Sequence, residues 1–61
     1  MSIREAFHSI GRGWRVYNIG FNDVDETQFT ASGIRDLEDL WIRFCAEEKI
    51  DINCVDYVEL A

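Results

Sequence analysis

Apolar positions along the chain fall into five segments with two different periods. Ile3, Ala6, Phe7 and Ile10 recur at the three- and four-residue steps of one helix face. Ser2 and Glu5 stand where a capping box forms, and Gly11 stands where such a helix ends. A short helix is therefore expected over 3–10. Trp14 to Phe21 is rich in aromatic and β-branched residues, which suits a strand over 14–21. Its alternation places Arg15, Tyr17, Ile19 and Phe21 on one face and Trp14, Val16 and Asn18 on the other.

Asn22-Asp23-Val24-Asp25-Glu26 breaks that pattern with turn-forming residues, so a short second strand is expected over 27–31. From 33 to 49, Ile34, Leu37, Leu40, Trp41, Phe44 and Cys45 form the core-facing stripe of an amphipathic helix, with Ser32 as candidate N-cap. On its far side Arg35, Asp39, Arg43 and Glu47 alternate in sign at four-residue steps. A last strand is expected over 53–60, with Cys54, Asp56, Val58 and Leu60 alternating with Val55, Tyr57 and Glu59.

These elements predict a single α+β domain over residues 1–61: a short N-terminal helix, then β-β-α-β. Two strands joined by a hairpin and a right-handed crossover through the long helix give a three-stranded antiparallel sheet in the order 2-1-3, packed on that helix in two layers. The first helix has two layers to choose from, and its choice decides whether the second sheet face is covered.

The chain has 61 residues, so its core is thin and its stability is expected at about 3–5 kcal/mol. Little material is left for a pocket, a rigid catalytic shell and its support. Twelve acids against six bases give a net charge of −6, which argues against direct binding of nucleic acid or of anionic membranes. No apolar run approaches the ~20 residues of a membrane span. The opening Met1-Ser2-Ile3-Arg4-Glu5 lacks the order of a signal peptide, and a complete, reduced, cytoplasmic chain is expected.

Candidate chemistry is sparse. His8 has no neighbouring ligand or catalytic partner in sequence and reads as a solvated side chain. Cys45 and Cys54 do not form a C-x-x-C pair and read as small buried hydrophobes; a metal or redox pair requires the fold to bring them together. The acidic turn lacks the order of a calcium loop, and Gly11-Arg12-Gly13 is too short for a phosphate loop. Neither cofactor nor metal nor small-molecule substrate is indicated.

What remains is surface. Trp14 and Val16 lie on the strand face away from the core, Ile42 lies off the helix stripe, and Tyr57 lies on an expected edge strand. Asp36, Glu38, Asp39, Glu47 and Glu48 form an acidic body. The chain is similar, in size and charge alone, to small acidic accessory proteins of bacteria and their mobile elements. The leading expectation is a non-enzymatic interaction module that binds a protein partner or a second copy of itself. Two alternatives follow from the same residues. One is an acidic inhibitor that imitates nucleic acid on a basic protein. The other is a metal- or redox-active protein using Cys45 and Cys54.

Overall fold

A computed structural model describes residues 1–8 and 13–61. Its elements are α1 (Ile3–Ala6), β1 (Arg15–Phe21), β2 (Asp25–Ala31), α2 (Ile34–Glu48) and β3 (Val55–Leu60). The strands lie in the order β2-β1-β3, and both pairings are antiparallel. The expected α+β architecture is the one found.

The capping box of α1 is formed: Glu5 N–H donates to Ser2 Oγ at 3.2 Å, and Ser2 N–H donates to Glu5 Oε1 at 3.1 Å. These bonds hold the Glu5 carboxyl below its ordinary range. The helix is nevertheless only one turn long, not the 3–10 expected. Phe7 turns extended at φ −74° and ψ 128°, and its ring packs 5.5 Å from that of Tyr17. Leaving the helix lets Phe7 join the core instead of following the stripe. His8 therefore lies beyond α1 and is exposed. Ile10, Gly11 and Arg12 lie outside the described residues.

The β1–β2 hairpin closes through Asn22–Val24, so β2 begins two residues earlier than the sequence pattern suggested. Asn22 (φ 50°) and Asp23 (φ 66°) take the left-handed conformation that Asn and Asp tolerate best among side-chain-bearing residues. The Asp23 N–H donates to Asp56 Oδ2 at 2.7 Å, which ties the turn to β3.

The N-cap of α2 lies one residue later than the candidate Ser32. Gly33 is the N-cap and makes no side-chain bond. Ser32 has the opposite role: its own N–H donates to Asp36 Oδ2 at 3.0 Å. At the other end Lys49 turns left-handed (φ 58°, ψ 48°) and closes the helix on the Cys45 carbonyl.

Strand β3 starts at Val55 and departs from simple alternation. Gly20 pairs with Tyr57 but Phe21 pairs with Val55, so a bulge at Asp56 shifts the register. A bulge inserts one residue and flips the faces on one side of it. Val55 thereby joins Val58 in the core, whereas strict alternation grouped it with Tyr57.

One face of the sheet carries the core. Tyr17, Ile19 and Phe21 meet Leu37, Trp41 and Cys45 of α2, with Ile3 and Ala6 of α1 in the same cluster. Phe21, Phe29, Trp41 and Phe44 form a chain of ring contacts at 5.4–5.7 Å. The Trp41 indole donates to the Ile52 carbonyl at 3.0 Å, so its polar atom is satisfied. Helix α1 lies on the same side as α2 and is joined to it by the Arg4–Glu38 ion pair at 2.8 Å. Both helices thus cover one face, and among the described residues the other is open.

Candidate interaction surface

The open face is read from the strand registers. Thr30 stands beside Val16, Gln28 beside Asn18 beside Glu59, and Glu26 beside Gly20 beside Tyr57. Gln28 Nε2 donates to Asn18 Oδ1 at 2.9 Å within the middle row. Val16 and Tyr57 remain 37% and 41% exposed, and Trp14, just before β1, is 67% exposed.

The row through Gly20 is built around one ring. Tyr57 extends from edge strand β3 across β1, and its hydroxyl donates to the Glu26 carboxylate on edge strand β2. A Cβ at Gly20 would stand 2.0 Å from Tyr57 Cε2, so only glycine leaves the ring its place. One side chain therefore spans all three strands. The bond to Glu26, followed by the ring's partial desolvation and the nearby acids Glu59 and Asp56, pushes the Tyr57 phenol up to about 12. The phenol stays neutral and donating at ordinary pH.

Of the four interaction candidates, the fold brings Val16 and Tyr57 onto this open face, with Trp14 at its border. Ile42 is separated from them. It is exposed on α2, in the helix layer on the opposite side of the sheet. The acidic residues are also divided. Glu38 is held by Arg4 and Asp36 by Ser32, while Asp39, Glu47 and Glu48 are free of such partners among the described residues.

A second concavity lies between β2 and α2. It is an open groove of about 220 Å³ lined by Phe29, Leu40, Phe44, Arg43 and Glu47. The sequence pattern assigned the three apolar residues to the core, or left them unremarked in the case of Phe29. It also gave no role to Gly20 or Glu26. A glycine inside a central strand was the available signal, since such a residue marks a close approach.

Cys45 is buried, and burial followed by the neighbouring Cys54 and Asp51 raises its thiol to about 11. Cys54 is half-buried, and burial raises its thiol too. A thiolate is the form that attacks or ligates, and both sites oppose it. Among the described residues, no three His, Cys, Asp or Glu side chains converge as a metal site. Among the same residues, no helix is long and apolar enough to cross a membrane.

Comparison of the chain with protein families, with curated proteins and with solved structures returned no match.

Proposed function

We propose that this chain is a non-enzymatic interaction module whose open sheet face binds a protein partner or a second copy of the chain. The observation that carries this reading is the placement of both helices on one face of the sheet. Among the described residues this leaves the other face uncovered, with Trp14, Val16 and Tyr57 accessible. Exposed apolar and aromatic patches mark interfaces more often than chance, and Tyr and Trp are enriched there. Tyr57 is fixed by Glu26 and by the flat seat over Gly20, so little side-chain freedom is lost when a partner covers it.

The acidic-inhibitor alternative has less support, because Asp36 and Glu38 already serve internal bonds. The thiol alternative is opposed by the raised thiols. Two free cysteines are in keeping with a cytoplasmic setting, which belongs to the same proposal.

Light scattering after size exclusion, across concentration and salt, is the test, applied to wild type, Trp14→Asp and Val16→Asp. A mass that rises with concentration at high salt and falls to one chain in both variants supports self-association through the open face. A wild type that stays a single chain assigns the face to a different protein. Variants that keep the wild-type fold and still assemble normally would remove the open face as the binding surface.

A further inference from the structure

We infer that the free edge of β2, with the groove beside it, binds an extended basic segment of another protein as a fourth strand. This surface is distinct from the open face, and the inference does not depend on that face being used.

The two sheet edges are not equivalent. At the β3 edge, Val55 N–H donates to the Met1 carbonyl at 3.1 Å, and Met1 N donates to the Val55 carbonyl at 2.9 Å. The start of that edge is already paired. Strand β2 pairs with β1 on one side only, and among the described residues its other side has no backbone partner. Natural edges are defended by lysine, proline, bulges or a covering element. From Thr27 to Ala31, β2 has no charge, no proline and no register shift.

The groove lies where an added strand would project side chains. Alternate residues of such a strand point toward the helix layer and the others toward the open face. The inward positions meet Phe29, Leu40 and Phe44, and a space of about 220 Å³ suits one large apolar side chain rather than a small-molecule ligand. Backbone pairing with pockets for alternate side chains is the usual form of strand addition.

Charge selects the occupant. The two-residue connection Ser32–Gly33 sends α2 back along the sheet, so its carboxyl end lies toward the start of β2. That end of the groove gathers exposed Asp25 from β2, Glu47 and Glu48 from α2, and the negative end of the helix dipole, whereas Glu26 faces the opposite side of the sheet and accepts from Tyr57. Arg43 is the single base lining the groove. A second copy would bring another net charge of −6 to this site. A segment with lysine or arginine beside its apolar residues matches it.

The probe is a synthetic pool of peptides about nine residues long, a common strand length, with Val, Ile, Leu or Phe at positions 3, 5 and 7, Lys at 1 and 9 on that same face, and Thr between them. A second pool carries Glu in place of Lys. Amide shifts and hydrogen exchange of the full chain are read by NMR. The lysine pool is expected to shift Leu40 and Phe44 and to slow exchange within Thr27–Ala31 by about tenfold when present at about ten times its Kd. The glutamate pool should do neither. Glu47→Lys, an exposed change at the groove mouth, should weaken the lysine pool by about fivefold, while Val16→Asp leaves it unchanged. The inference is overturned if β2 stays unprotected at millimolar peptide, or if both pools act alike. It is equally overturned if the shifts fall on Val16 and Tyr57, or if β2 is protected by self-association without peptide.

Discussion

A methyl group added at Gly20 would stand 2.0, 2.3 and 2.6 Å from three carbons of the Tyr57 ring. Carbon contacts are comfortable at about 3.5–4.0 Å, so the ring must rise by about 1.5 Å. That movement carries its hydroxyl away from Glu26. Overpacking of this kind costs about 1–3 kcal/mol, and the relief of glycine's extra chain entropy returns about 0.5–1 kcal/mol. Gly20→Ala is therefore expected to lose about 1–2 kcal/mol, a large share of the roughly 3–5 available to a domain of this size. Urea denaturation followed by far-ultraviolet circular dichroism reads this as a midpoint lower by about 1–2 M, at a slope near 1 kcal/mol/M. The sharper test is the sign in a second background. In Tyr57→Ala the ring is gone, and Gly20→Ala should raise the midpoint. A destabilisation of equal size in both backgrounds would refute the steric argument.

Alkaline pH tests the same ring by another route. The Tyr57 phenol is held up to about 12 in the folded chain against an ordinary 10.0, so its contribution is complete below pH 10 and lost as pH rises toward 12. Cys45, raised to about 11 from 9.0, acts in the same direction from pH 9 upward. The urea midpoint should fall across this window, and Tyr57→Phe should remove the later part of the fall while leaving the earlier part. Leu37 is fully buried beneath α2, and Leu37→Ala is expected to cost about 2–5 kcal/mol, leaving much of the chain unfolded at 25 °C by circular dichroism. In native protein, Ellman's reagent should modify Cys54 well before Cys45; equal rates would contradict the burial difference. Arg4→Ala should change the urea midpoint little, since the Arg4–Glu38 pair is largely exposed and such pairs contribute about 0–1 kcal/mol.

What the sequence made legible was periodic. The stripe Leu37, Trp41 and Cys45 and the alternation Tyr17, Ile19 and Phe21 both lie in the core, and the sheet order follows from connection rules. What it hid were places where a single residue departs from the period. Phe7 leaves its helix for the Tyr17 ring, Asp56 makes a bulge that sends Val55 inward, and Ser32 gives its N–H to Asp36 rather than capping α2. The first two depend on β1, a partner set by the fold, and the third on a side chain one helical turn away competing for the Ser32 N–H. The surface shows the same division. Val16 and Tyr57 were recognisable as outward apolar residues, but Ile42 was grouped with them only because sequence does not reveal which side of the sheet a helix flank faces. The Gly20–Tyr57–Glu26 row required three strands in register before it existed at all.

The central position of β1 also has a kinetic consequence. Its pairing with β2 closes across the turn Asn22–Val24, whereas its pairing with β3 joins Phe21 to Val55 and Tyr17 to Leu60. Short loops close at less entropic cost than long ones, so the hairpin forms early and β3 docks late. Val58→Ala should accordingly speed unfolding with little change in the folding rate, which stopped-flow measurements will show. Until β3 arrives, Tyr17, Ile19 and Phe21 lie on a strand with one bare side. During that interval the chain is most open to aggregation, and the docking of β3 on β1 is the step that ends it.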